Sequence, residues 1–245
     1  MSRPRIICHM HTLLDGKVDG IANITEVGLR AQREYHALML GPDRAFSGHR
    51  GWLSGRGTSE AILGGPREPD LPESFDPVPE GDFIAQPDAD WFYFAVDGSG
   101  KLAWDRAGFE YFGAEAHIVA LISGAVPEAY KAFLRQQGVS YLIVGEDRLD
   151  MGEAVQRIGE TFGVDELILG GGPNLNWSMI RQGLVDEISL VLMPTADAEG
   201  HTSPLFRSSG DAEPIPVEFA FRSAEPLSDG SVWLRYDVVG EIEES

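Results

Sequence analysis

Between His117 and Met193 short apolar runs alternate with longer amphipathic segments, and few chain architectures accept that pattern. His117–Ile122, Ser140–Val144, Glu166–Leu169 and Ile188–Met193 read as strands. Pro127–Gln137, Asp150–Phe162 and Asn174–Gln182 read as helices, the first opened by a proline and the last closed by Gly183. Strands that alternate with helices of about ten residues form crossover units on a parallel sheet, which makes this an α/β chain. The tail differs. Val217, Phe219 and Phe221, and then Val232, Leu234, Tyr236 and Val238, alternate with other residues at period two, so two antiparallel strands joined through 228–231 are expected.

Upstream, Arg5–Met10 reads as a buried strand. Ile21–Leu40 reads as a helix that starts near Thr25 and Glu26 and stops at Gly41-Pro42. Gly51–Gly55 is a short strand and Asp90–Asp97 a strong one. The turn at Asp97–Gly100 predicts that Lys101–Trp104 returns as a hairpin. Between them, 64–90 carries Pro66, Pro69, Pro72, Pro77, Pro79 and Pro87 among many acids, a composition that builds little ladder or helix. We read it as a surface excursion, a candidate lid or dimer arm, within a single domain spanning 1–245.

The chain has 19 Lys and Arg against 39 Asp and Glu, a formal charge of −20, which argues against nucleic acid and anionic membrane surfaces as partners. Its one cysteine, Cys8, excludes an internal disulfide framework and any multi-cysteine zinc site. The apolar run at Ile6–Cys8 is too short for a signal-peptide core or a membrane span, so a cytoplasmic protein is expected.

Three places carry candidate chemistry. In Leu167–Asn176 an apolar strand runs into Gly170-Gly171-Gly172 and directly into a helix. Bare backbone beside a helix N-terminus suits a pyrophosphate, and equally suits a tight strand-to-helix turn with glycines chosen for packing. The glycine spacing is neither that of the common dinucleotide fingerprint nor that of a P-loop. In the second place, Ser54–Glu60 follows a strand, and His49, Arg50 and Arg56 form a basic cluster in an acidic chain. Such a cluster fits an anionic ligand, a 2′-phosphate or a substrate phosphate, or ion pairs with neighbouring acids. Thr58 there is a candidate helix cap, a ligand contact, or both. The third is Asp15-Gly16-Lys17, a carboxylate at a strand end, which is either a ligand group or a plain turn. His9 and His11 share one face of a strand but have no third ligand at a characteristic spacing, so no metal site is expected. Cys8 reads as a core thiol, and no G-x-S-x-G frame supports serine hydrolase chemistry.

Five segments in order, Leu14–Lys17, Trp52–Thr58, Val139–Gly145, Gly170–Asn176 and Gly183–Ser189, resemble the dihydrofolate-reductase-like family. The similarity is greatest to relatives of the reductase domain of the riboflavin-pathway deaminase–reductase, and it runs to about residue 205. The resemblance implies a three-layer fold with a mostly parallel central sheet, NADPH as reductant, and a homodimer. By position it places Arg56, Thr58, Gly170, Gly171, Gly172, Pro173, Asn174 and Leu175 on the cofactor phosphates and ribose. Ser123 and Gly145 would border the adenosine. Asp15 would be the catalytic carboxylate, with His9, Lys17 and Arg50 toward the substrate. The implied reaction is hydride transfer to C1′ of a ribosylamino-pyrimidine phosphate. The deaminase half is excluded, since its zinc site needs more than one cysteine. Leu169 or Gly170 stands where riboflavin-pathway members usually carry a glutamate, and Ile62 replaces an acid that often follows the threonine. These departures leave two alternatives open: a reductase of another acceptor, or a nucleotide-binding protein without catalysis.

Overall fold

The computed structural model describes residues 3–208 and 215–241. In chain order its elements are β1 (Arg5–Thr12), a 3₁₀ turn (Ile21–Ile24), α1 (Glu26–Leu40), β2 (His49–Gly55), α2 (Arg56–Ile62), β3 (Trp91–Val96), β4 (Gly108–Tyr111) and β5 (Ala114–Ile122). There follow α3 (Glu128–Gln136), β6 (Ser140–Ile143), α4 (Met151–Phe162), β7 (Glu166–Leu169), α5 (Pro173–Arg181), β8 (Glu187–Leu192), β9 (Val217–Pro226) and β10 (Val232–Glu241). Helix starts follow the side-chain chemistry. Thr25 Oγ1 accepts the Gly28 amide at 3.1 Å, and Asp150 Oδ1 accepts the Glu153 amide at 3.0 Å, each satisfying a donor that a first turn leaves open. The strand–helix alternation and the antiparallel tail expected from the sequence are both present.

The chain divides into two compact units, one built mainly on His49–Leu167 and the other on Arg5–Gly48 with the residues from Ile168 onward. In the first unit β2, β3, β5 and β6 pair in parallel. β4 pairs antiparallel with the opening residues of β5, while β6 takes the closing ones. Phe92, Phe94, Ile118, Leu121, Leu142 and Ile158 are fully buried here. In the second unit β1 pairs in parallel with β8, and β10 joins β8 to β9 through antiparallel ladders. Ile6, Ile7 and Val191 are among its fully buried strand residues.

Two expectations fail. Lys101–Trp104 does not return as a strand. The buried Asp97 carboxylate instead accepts the amides of Lys101 (2.8 Å) and Leu102 (2.9 Å) and the Tyr130 hydroxyl (2.6 Å), which folds that segment inward. The hairpin is formed by β4 and β5. Nor does 64–90 stand free along its whole length, because residues 82–85 are docked. The Phe83 and Tyr141 backbones exchange hydrogen bonds at 3.0 and 2.8 Å, which covers the outer edge of β6. Ser140 Oγ accepts the Ala85 amide at 2.9 Å, and Asp82 accepts the Ile143 amide at 2.9 Å and pairs with Arg157. The Arg135 guanidinium lies 4.4 Å above the Phe83 ring. The excursion is a strap that closes an open strand edge. Among the described residues no helix is long and apolar enough to cross a membrane.

Candidate active site

The loop after β1 is held tightly. The Leu13 amide donates to Lys17 O at 2.9 Å, the Gly16 amide to Leu13 O at 2.9 Å, and the Leu14 amide to Thr195 O at 2.8 Å. This brings two of the expected site residues together: Lys17 Nζ lies 3.0 Å from Asp15 Oδ2, which also accepts the Ala198 amide at 3.1 Å. Asp15 Oδ1 has no partner among the described residues, and the side chain is a quarter exposed (25%). One oxygen is therefore fixed and the other is open to a ligand. Asp197, which the sequence reading missed, sits 3.5 Å from Lys17 on its other side. Burial works against the lysine's charge, but the hydrogen bonds and charges of Asp15 and Asp197 outweigh it and hold Lys17 above the usual lysine value.

The glycine turn lies in the same unit. β7, whose last residues belong to that unit, neighbours β1 in the strand order. Gly171 has φ +94°, a conformation that a residue with a Cβ adopts only under strain, and it is buried. Gly172 caps α5 with no side-chain acceptor, and Pro173 occupies the first turn. The first intrahelical bond runs from the Asn176 amide to Gly172 O (3.0 Å), so the Asn174 and Leu175 amides precede any intrahelical acceptor. The first turn carries no acid. Asn176, one turn in, is fully buried, and its Oδ1 has no hydrogen-bond partner among the described residues. Uncapped amides, a helix start and bare backbone together fit a diphosphate.

The other expected residues fall elsewhere. His9 does not line an open pocket. It is fully buried in the second unit, its ring stacked on Tyr35 at 4.3 Å. Its Nε2 lies 3.0 Å from Tyr35 O and its Nδ1 2.9 Å from Ser189 Oγ, which in turn accepts from Trp233 Nε1 at 2.8 Å. A carbonyl accepts only, so the bonding assigns a proton to Nε2. Arg50, in the first unit, spends its guanidinium on the carbonyl oxygens of Ala89 (2.7 Å) and Asp90 (3.3 Å), and His49 is fully buried, so the basic cluster does not assemble. Arg56 is exposed and pairs with Glu60 at 3.4 Å. With Lys101, and with Pro66, Arg67 and Glu68 of the strap, these two line an open cavity of about 380 Å³. Thr58 is the third residue of α2, whose N-cap is Gly55, so it is not the cap.

Two further positions in the first unit are already bonded within it. Ser123 Oγ donates to Gly98 O at 2.8 Å. The Gly145 amide donates to Glu153 at 2.9 Å, and a Cβ at Gly145 would lie 2.0 Å from Arg148 O. Burial pushes the Cys8 thiol up to about 12, which keeps it protonated and unreactive. No group of three His, Cys, Asp or Glu among the described residues is arranged to hold a metal ion.

Comparison with known proteins places these features in context. Residues 111–232 match the family model described as the RibD C-terminal domain. A segment of 86 residues is 33% identical to the 2,5-diamino-6-ribosylamino-4(3H)-pyrimidinone 5′-phosphate reductase of Methanothermobacter thermautotrophicus, covering 35% of this chain and 39% of that protein. The protein of the same name from Aquifex aeolicus is 25% identical over 80 residues, 33% of this chain and 35% of that one. The chain thus aligns with well under half the length of these curated relatives. Its fold is similar to that of a pyrimidine reductase-like protein from Corynebacterium diphtheriae, with a TM-score of 0.64 at 14% identity over 96% of this chain and 92% of that one.

Proposed function

This chain is a relative of the RibD C-terminal domain, and on that premise we propose that it is an NADPH-dependent reductase of a ribosylamino-pyrimidine phosphate. The observation that carries the reading is the pairing, within one unit, of an uncapped glycine-turn helix start with a carboxylate that has one oxygen pinned and one open. When bound, the dinucleotide supplies a hydride to C1′ of the acceptor. The chain's own part is to hold and orient. The Asn174 and Leu175 amides and the bare backbone at Gly170, Gly171 and Gly172 receive the pyrophosphate, with Pro173 setting the helix start. Asp15 Oδ1 accepts a proton-bearing nitrogen or hydroxyl of the substrate and fixes its orientation. Lys17, kept charged between two carboxylates, holds the Asp15 side chain in place and leaves the charge of that corner balanced toward an amine.

Arg56, Thr58, Ser123 and Gly145 carry cofactor roles by resemblance, and His9 and Arg50 substrate roles. Each is tested singly, by NADPH affinity or by substrate KM after substitution. A single reductase domain over 1–245, a homodimer and a cytoplasmic location complete the proposal, and sedimentation together with one cooperative unfolding transition would support the first two. The deciding experiment is NADPH oxidation on addition of the ribosylamino-pyrimidine phosphate. Turnover supports the reading. Cofactor binding without turnover moves it to the alternative of another acceptor, which the lack of the usual glutamate at Leu169 or Gly170 favours. No NADPH binding at millimolar concentration ends the redox reading.

A further inference from the structure

We propose that Asp197 is a positioning residue of this site: it clamps the Lys17 ammonium against Asp15, so that Asp15 presents one fixed oxygen to the substrate. The role given to Asp15 rests on the reading above, whereas the clamp itself is a property of the chain.

Asp197 is nearly buried, its side chain 6% exposed, and it gathers donors from three segments. Its Oδ1 accepts from Lys17 Nζ at 3.5 Å and from the Glu199 amide at 3.0 Å, and its Oδ2 accepts the Ala22 amide at 3.4 Å. Those backbone donors fix the carboxylate before the lysine is considered, and they hold its titration below the usual carboxylate range. The loop that carries it is tied to the Asp15 loop at several other points. The Val18 amide donates to Ser203 O at 2.9 Å, the Ser203 amide to Asp19 Oδ1 at 2.6 Å, and the Leu205 amide to Gly16 O at 3.2 Å. The Ala198 amide beside Asp197 holds Asp15 Oδ2. One short segment, 197–198, therefore grips both members of the Asp15–Lys17 pair, the anion through a backbone amide and the cation through a carboxylate.

The chain also keeps space clear for this carboxylate. Gly20 has φ +127°, and a Cβ built there would lie 2.3 Å from Asp197 Oδ2. A residue larger than glycine at position 20 would have to push the carboxylate away. Without Asp197, Lys17 has a single anionic partner and a flexible four-carbon stem, and its hold on Asp15 Oδ2 is shared with every other rotamer open to it.

The clamp is read on Lys17 itself, without reference to turnover. Competitive acylation of the folded chain with acetic anhydride at pH 9, followed by mass spectrometry, reports how far each lysine is held as ammonium. Asp197→Asn, which keeps the shape and an acceptor for one of the Ala22 and Glu199 amides but removes the charge, is expected to label Lys17 at least threefold faster than wild type. Asp197→Glu is expected to stay within twofold. Gly20→Ala, which retains the charge but displaces it, is expected to behave as Asp197→Asn does. Wild-type labelling rates in both Asp197→Asn and Gly20→Ala overturn the clamp, whatever the enzyme does.

Turnover then tests the consequence. If Asp197 acts through Lys17, Asp197→Asn lowers kcat several-fold in the wild-type background and not at all in Lys17→Met, with the KM for NADPH unchanged. Additive losses would mark Asp197 as a structural staple and refute the positioning role. A chain that shows the labelling effect but never turns over retains the clamp and loses the assigned reaction.

Discussion

Replacing Glu187 by glutamine tests the electrostatics of the second unit most sharply. The Glu187 side chain is fully buried at the start of β8 and receives three arginines. Arg235 approaches as a fork, Nε to Oε1 at 2.6 Å and Nη2 to Oε2 at 3.0 Å. Arg222 reaches Oε2 at 3.0 Å, and Arg5 bonds the same oxygen. Glutamine keeps the volume but removes the charge and turns an NH₂ donor toward guanidinium donors. Removing one partner of a buried ion pair costs about 3–5 kcal/mol. Arg5 and Arg222 are 39% and 44% exposed and recover hydration by turning outward, which discounts that figure. Arg235, at 20% exposure and stacked over Trp233 at 5.0 Å, turns outward least. The expected loss for Glu187→Gln is therefore about 2–4 kcal/mol, against about 0–1 kcal/mol for Arg222→Ala, whose contact is half solvated and which leaves the fork intact. Urea unfolding followed by the summed fluorescence of the chain's five tryptophans measures both. Equal losses for the two variants, or a Glu187→Gln loss under about 1 kcal/mol, would refute the reasoning.

Three shorter predictions accompany it. Gly171→Val should abolish NADPH binding, because a branched side chain fills the approach to the turn and φ +94° is strained for valine, and titration of NADPH fluorescence decides it. Asp15→Asn should leave cofactor affinity nearly unchanged and slow turnover at least tenfold, about 1.4 kcal/mol, and an unchanged kcat removes Asp15 from the reaction. Burial lowers His11, His36 and His117 to about 4. Each native value lies below the unfolded one, so the contribution to stability is complete above pH 6.5 and is lost as pH falls from 6.5 toward 4, by up to about 3 kcal/mol per ring. Thermal melts between pH 7 and 4.5 should fall, and less steeply in His117→Asn. A flat profile would contradict the burial of these rings.

Much of the fold was legible because periodicity is local. Glu166–Leu169 is a strand with the bounds its apolar run suggested, and Thr25 and Asp150 cap the helices they precede. What was illegible depends on partners distant in the chain. The Lys101 segment looked like a returning strand until a buried Asp97 claimed its amides. The strap looked free because Asp82 finds Arg157, and Ala85 finds Ser140, more than fifty residues away in sequence. The candidate site divides in the same way. The glycine turn at Gly171 and the Asp15-Gly16-Lys17 turn stood out in the sequence as candidates, whereas the ion pair between Asp15 and Lys17 did not. Nor did Asp197, since no motif in 194–201 signals a carboxylate aimed at Lys17, and alternation that puts His9 and His11 on one face carries no information about a Ser189 hydroxyl waiting for His9.

The strap has a practical consequence for anyone trimming this chain. Cutting 64–90 down to a short connector, as its composition invites, would strip Tyr141 and Ile143 of their backbone partners and strand the Arg157 cation without Asp82. The exposed rim would then offer itself to whatever extended peptide came first, including a neighbouring molecule of the same kind, and loss of solubility rather than loss of activity would be the first symptom.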